Sequence, residues 1–218
     1  MEDQIVAEER IDSREVGVGP YPGGKKAWPD DPRLDPTLLE YGDRRNVADK
    51  YRYWKMDAIV ADLDQSRSPL EVAIENLDHD FNIGSIVRSA NAFNAQAVHI
   101  VGKKRWNRRG AMVTDRYLHV DNVATPEEFV SQMQVRGKVI IGIDNVPGST
   151  PIEEVELPRD CVLVFGSESE GLSEPMRASC SAIHHITQYG STRSINVGAA
   201  AAVAMWAWAR VHLSRPTA

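Results

Sequence analysis

A chain of 218 residues that is 42% hydrophobic and 26% charged can bury a sizeable core, in one domain or in one domain with an appendage. Its net charge of −6 argues mildly against binding nucleic acid through bulk charge. The acidic start MEDQIVAEER lacks the apolar stretch of a signal peptide, and the longest apolar run, 197–209, is too short to span a bilayer. A cytoplasmic protein without a membrane span is therefore expected. The two cysteines, Cys161 and Cys180, fall in or beside predicted core elements, as buried reduced thiols do. No set of Cys and His has the spacing of a metal site, so no metal is expected.

The charge is unevenly spread. Residues 1–78 carry 18 acids and 11 bases, whereas residues 79–218 carry 13 acids and 14 bases. Residues 1–44 are polar and rich in Pro and Gly, which predicts a partly disordered or wrapped arm. From Asn46 to about Arg67, Val47, Tyr51, Trp54, Ala58 and Val60 recur at helical spacing and predict one amphipathic helix, ended by Ser68-Pro69. Residues 1–69 are thus read as an N-terminal extension and 70–218 as the main domain.

From Leu70 the chain alternates strands and helices. Strands are expected at 70–77, 97–102, near 118–120, and at 138–144, 161–165 and 182–186. Helices are expected at 82–93, from the Thr125 N-cap with Pro126 to about 134, at 173–180, and from about 195 to 213. This alternation defines the α/β class, with a mainly parallel sheet covered by helices on both faces. In such sheets ligands bind beyond the carboxyl ends of the strands. Those ends fall at 76–82, Gly102, 142–145, 166–171 and 187–196.

Four stretches near those ends carry candidate chemistry. Gly166 and Gly171 bracket the acidic turn Ser167-Glu168-Ser169-Glu170, where a ligand could approach the backbone closely. The turn has neither P-loop nor dinucleotide spacing, and its carboxylates would repel phosphate. They would suit a cationic ligand or a hydroxyl donor, or simply be solvated. In DHDFNIGSIVRSANAFNA (78–95), Arg88 lies in an otherwise apolar helix pattern and needs an anionic partner or exposure. A structural salt bridge would serve equally. In GSTRSINVGAA, Ser194 and Asn196 sit at the mouth of the last helix, where Ser194 could be an N-cap. The basic run GKKRWNRRG (102–110) holds Lys103, Lys104, Arg105, Arg108 and Arg109 around a tryptophan, the pattern of a phosphate-and-base contact or of a solvated loop.

In chain order, three of these stretches resemble the motifs of the SpoU/TrmH family of RNA ribose 2′-O-methyltransferases. Asn82, Gly84, Ile86, Arg88, Ala90 and Phe93 resemble its first motif. Phe165, Gly166, Glu168, Gly171 and Leu172 resemble the second, and Ser194, Ile195, Asn196, Val197 and Ala200 the third. Isoleucine at 195 replaces the usual leucine, and Ile186-Thr187-Gln188 stands where the family often has Ile-Pro-Met. The resemblance covers roughly 70–213.

It implies a C-terminal trefoil knot that binds S-adenosylmethionine and a homodimer with the site near the subunit interface. It further implies methyl transfer to a ribose 2′-hydroxyl of tRNA or rRNA. Phe165, Gly166, Gly171, Ile186, Ile195 and Asn196 would bind the cofactor, and Arg88 would act with Asn82, Glu168, Ser194 and Asn196 on the RNA. Trp206 and Trp208 of the last helix are candidates for core or interface. Base methylation by a knotted relative, or a non-catalytic RNA-binding protein of this fold, are the alternatives.

Overall fold

The computed structural model describes residues 17–75, 80–102 and 106–214. The chain divides into two compact units, 1–58 and 59–218.

In the first unit, 17–44 folds into short elements, while 1–16 of the expected arm lie outside the described residues. A buried carboxylate organises 17–44. Asp43 accepts from the backbone N–H of Arg45 (3.0 Å) and of Tyr53 (3.0 Å), and from the Arg45 guanidinium at 2.8 and 2.7 Å. Its own backbone pairs with Val18. Burial pushes the Asp43 carboxyl up, but these donors and the Arg45 charge outweigh it and hold the pKa below the usual range. Asp35 caps the short helix α1 (Pro36–Tyr41) by accepting from Thr37 N–H.

The single helix expected over 46–67 does not form. Instead there is a 3-10 turn at Asp49–Tyr51, and a helix, α2, only at Met56–Asp64. Between them Tyr53 takes a positive φ of 63° and Trp54 bridges to Leu34. The apolar spacing of Tyr51 and Trp54 serves an edge-to-face aromatic pair, with ring centroids 5.4 Å apart, and not a helix face.

The second unit carries a seven-stranded sheet. In chain order its elements are β1 (Glu71–Glu75), α3 (Asp80–Ala92), β2 (Ala97–Val101), β3 (His119–Val123), α4 (Pro126–Val135) and β4 (Val139–Ile143). Then follow β5 (Thr150–Pro151), β6 (Cys161–Phe165), α5 (Glu174–Ser179), β7 (Ala182–His185) and α6 (Val197–His212). Every pairing is parallel, in the spatial order β3-β2-β1-β6-β4-β7-β5. β1, β2, β4 and β6 match the apolar runs in the sequence. The edge strand β3 (HVDNV) is largely exposed, β7 ends in two histidines, and β5 is only two residues long.

All five residues of β1, β2 and β6 are buried, as in a sheet covered on both faces. The chain runs outward through β2 and β3, crosses back to β4, and then inserts β6 between β1 and β4. Ligand crevices form where strand order reverses in this way. At the opposite, amino-terminal end of the sheet, buried Glu71 accepts from Arg136 Nη1 at 2.9 Å and His99 Nε2 at 2.7 Å, and pairs with Lys138 at 3.2 Å. These partners let a carboxylate sit inside the strand layer.

Two close approaches fix the helices around the site. A Cβ on Gly84 of α3 would stand 2.6 Å from Ala111 N, in the 3-10 turn Arg108–Ala111. The first-motif glycine therefore lets two backbones touch. Gly198, Ala201 and Ala204 bury the small-residue face of α6, and a Cβ on Gly198 would lie 3.2 Å from Ser85 Cβ on α3. Of the two tryptophans, Trp208 is in the core and its Nε1 donates to the carbonyls of Pro158 (3.0 Å) and Arg159 (3.2 Å). Trp206 is 58% exposed.

Candidate active site

The carboxyl ends of β6, β4 and β7 and the start of α6 enclose a cavity of about 550 Å³. That volume is in the range of small-molecule sites. Phe165, Gly166, Gly171, Ile186, Ile195 and Asn196 all line it, together with Glu168 and Ser194. The structure thus gathers residues that are up to 31 positions apart in sequence onto one cavity wall.

The turn after β6 shows why glycines flank the acidic residues. Ser167 and Gly171 exchange two backbone hydrogen bonds of 3.0 Å, so the turn closes on itself. A Cβ on Gly166 would overlap the backbone of Gly171 and Leu172, and one on Gly171 would overlap the Asp144 carboxylate. Gly171 also has φ of 72°, which only glycine adopts cheaply. Two carboxylates from neighbouring strand ends pin the turn. Asp144 Oδ2 accepts from Leu172 N–H at 2.9 Å, and Glu75 Oε2 accepts from Ser173 N–H at 3.0 Å.

One hydrogen-bonded chain links the three motifs. Asn82 Nδ2 donates to Glu168 Oε1 at 2.6 Å, and Asn196 Nδ2 donates to Asn82 Oδ1 at 3.0 Å. Asn196 Oδ1 in turn accepts from the N–H groups of Gly198 (2.9 Å) and Ala199 (3.2 Å), the first turn of α6. Asn196 is therefore the N-cap of α6, and Ser194 is not. Ser194 is exposed on the cavity wall, with its hydroxyl clear of the cap. Asn82 is only 7% exposed, so its amide is held by these partners and not by water.

Arg88 stands apart from this chain. It lies six residues beyond Asn82, on a different side of α3 and exposed. Among the described residues no carboxylate is placed in an ion pair with it. Of the basic run, Lys103, Lys104 and Arg105 lie outside the described residues. Arg108 and Arg109 are exposed on a 3-10 turn capped by Asn107. Arg108 Nη1 pairs with Asp115 at 3.3 Å, so part of this basic run is locally neutralised.

Sequence reasoning missed four residues that build the site: Glu75, Asp144, Asn145 and Gln188. Asn145 Nδ2 (3.1 Å) and Gln188 Nε2 (3.4 Å) both donate to the carbonyl of Arg193, fastening the β7–α6 loop. Glu75 is the last residue of β1, and the other three lie in stretches just past strand ends. The cysteines stay outside this chemistry. Burial pushes the Cys161 thiol up to about 12 and the Cys180 thiol to about 11. No group of three His, Cys, Asp or Glu among the described residues is placed to hold a metal, and no described helix is long and apolar enough to cross a membrane.

Fold and site together define a parallel α/β protein with a small-molecule cavity at the strand carboxyl ends, roofed by a glycine turn and a capped helix. The chain belongs to the SpoU rRNA Methylase family, which it matches over residues 69–206. It is 31% identical over 175 residues to an uncharacterized tRNA/rRNA methyltransferase of Mycolicibacterium vanbaalenii, covering 75% of this chain and 54% of that one. The chain thus spans about half the length of that relative.

Its fold is similar to the TrmH/SpoU tRNA modifying enzyme of A. aeolicus, with a TM-score of 0.64 and 23% identity over 71% of this chain and 81% of that one. It is also similar to the SpoU methyltransferase AviRb of Streptomyces viridochromogenes in complex with AdoMet. There the TM-score is 0.62 and the identity 25%, over 69% of this chain and 63% of that one.

Proposed function

We propose that the protein transfers a methyl group from S-adenosylmethionine to a ribose 2′-hydroxyl of tRNA or rRNA. The observation that carries this reading is the Glu168–Asn82–Asn196 chain, whose two ends, Glu168 and Asn196, line the cavity. It joins all three motifs in one hydrogen-bonded unit.

The residues present fit the cofactor. The cavity is lined both by apolar residues, among them Ile186, Ile195 and Val197, and by the carboxylates Asp144, Glu168 and Glu170. That mixture suits a nucleoside that also carries cationic groups. Bound there, S-adenosylmethionine supplies an already activated methyl group. The protein's own tasks are then alignment and stabilisation of charge on the attacking oxygen. Phe165, Gly166, Gly171, Ile186, Ile195 and Asn196 hold the cofactor. Glu168, held by Asn82, offers an acceptor to a ribose hydroxyl, and exposed Ser194 offers a hydroxyl beside it.

Arg88 is the phosphate clamp. A guanidinium is effectively never deprotonated in proteins, so it does not serve as the base. Exposed on α3, it can fork onto a backbone phosphate of the arriving RNA. The stripe of Val203 and Trp206 on the outward face of α6, 41% and 58% exposed, supports a homodimer built on this helix.

Arg88→Ala and Arg88→Lys test the assignment. The alanine variant should stay folded and keep its affinity for S-adenosylhomocysteine, yet lose on the order of 10²–10³ in kcat. Lysine should restore a fraction, with no extra gain at alkaline pH, because it lacks the bidentate fork. A lysine variant whose kcat climbs steeply with pH would make residue 88 a proton acceptor. An alanine variant that only loses stability would make Arg88 structural.

A further inference from the structure

The outer side of α3 carries an aromatic ring that the core does not use. Phe81 is 74% exposed, and at about 100° per residue it lies opposite the buried stripe of Ile83, Ile86, Val87 and Ala90. The turn Arg108–Ala111 crosses the start of the same helix, close enough that a Cβ on Gly110 would stand 3.2 Å from Phe81 O. Directly after that turn, Met112 and Val113 are also exposed, and both hold a positive φ, of 50° and 69°. A β-branched residue such as Val113 adopts that backbone only under strain, and such strain clusters at binding sites. An apolar patch thus stands in water beside Asn82, the centre of the chain that links the three motifs.

Charge decides what this patch takes. Arg88 follows Phe81 by seven residues, so both lie on one side of α3, about 10 Å apart along its axis. Arg109, exposed and adjacent to Gly110, adds a second cation. A second copy of the chain docking by its own matching face would bring these guanidinium groups against each other. A nucleic-acid strand satisfies both kinds of group, since its phosphates pair with arginine and its bases have apolar faces. We infer that Phe81 is a stacking platform for the base of the nucleotide being methylated, which leaves its neighbours while Arg88 grips the phosphate. This rests on the RNA reading above. Asn82, the next residue, holds Glu168 at 2.6 Å, so consecutive residues of one helical turn place the platform and the acceptor for the ribose hydroxyl. Stacking tolerates any base, so Phe81 presents the nucleotide and does not select it.

The test is fluorescence anisotropy with the full chain and two labelled probes of about 12 nucleotides: single-stranded oligoadenylate, and a ribose-phosphate oligomer of equal length that lacks bases. The wild type should prefer the first by at least about fivefold, the low end for one base stacked on an aromatic ring. Phe81→Leu keeps an apolar side chain but has no ring face. It should lose that preference with its salt slope and its affinity for S-adenosylhomocysteine unchanged, and Phe81→Trp should keep it. Arg109→Ala should weaken both probes alike and preserve the ratio. Equal binding of both probes by the wild type, or a Phe81→Leu variant with the wild-type preference, would overturn the inference and leave the RNA reading intact. A Phe81→Leu variant that loses self-association in sedimentation velocity would overturn it too, making the patch an interface between copies of the chain. One that no longer binds S-adenosylhomocysteine would make Phe81 structural and likewise overturn it. A wild type that binds neither probe would overturn the RNA reading and this inference with it.

Discussion

Replacing Asn82 by aspartate changes one atom of the site and reverses one interaction. The wild-type amide donates to Glu168 Oε1 at 2.6 Å and accepts from Asn196 at 3.0 Å. The aspartate would keep the second contact and turn the first into two carboxylates face to face. Two unit charges about 4 Å apart repel by about 4 kcal/mol at an effective dielectric of 20. Glu168 is exposed, so solvent reduces this to roughly 1–2 kcal/mol. The pair relieves the repulsion by sharing a proton, which raises at least one folded-state pKa above its unfolded value near 4. A raised pKa means that stability is fully present below the unfolded value and is lost as pH rises through the folded one. Urea unfolding at pH 5 and pH 8 should therefore show a deficit against wild type that is larger at pH 8. Asn82→Ala, which loses two hydrogen bonds without adding charge, should show a deficit of about 1–3 kcal/mol that is the same at both pH values. An Asn82→Asp variant with a pH-independent deficit, or none, would mean that Asn82 and Glu168 are not coupled as the structure has them.

Three further outcomes are expected elsewhere in the molecule. Burial raises the Glu71 carboxyl, but the His99 hydrogen bond and the Lys138 and Arg136 charges outweigh it and take it from 4.5 to about 2. On the order of 3 kcal/mol of stability should therefore be lost as pH falls from about 4.5 towards 2, and Glu71→Gln should flatten that limb of an acid titration followed by circular dichroism. Gly166→Val should weaken S-adenosylhomocysteine binding at least about tenfold in calorimetry while the far-ultraviolet spectrum of the sheet persists, because its Cβ displaces the turn and not a strand. Arg109→Ala should weaken RNA binding and lower its salt slope by about one, and Arg108→Ala should do less, since Asp115 already pairs with Arg108.

The strands were legible because a continuous apolar run is what a doubly covered parallel strand requires. β1, β2, β4 and β6 fall where Val, Ile, Leu and Phe cluster. The motif residues were legible as residue types at fixed spacing; the cavity gathers those of the second and third motifs, and the first reaches them through Asn82. What escaped is contact between chain segments that no periodicity encodes. Trp54 sits at helical spacing from Tyr51 yet bridges to Leu34, because a positive φ at Tyr53 breaks the helix between them. Ser194 has a good capping side chain, but Asn196 takes the cap because its amide also reaches Asn82. Asp144 and Gln188 look like ordinary loop residues until the glycine turn and the Arg193 carbonyl are brought against them. The polar order of 17–44 was hidden for the same reason, since one buried Asp43 takes the place of an apolar core.

The central claim concerns which atom receives the methyl group. The purified protein should be incubated with methyl-labelled S-adenosylmethionine and total tRNA and rRNA, and the RNA digested to nucleosides and resolved by mass spectrometry. The label should appear in 2′-O-methyl nucleosides, and should be nearly absent when Arg88→Ala replaces the wild type. Label recovered on a base, or RNA left unlabelled by a protein that binds the cofactor, would contradict it.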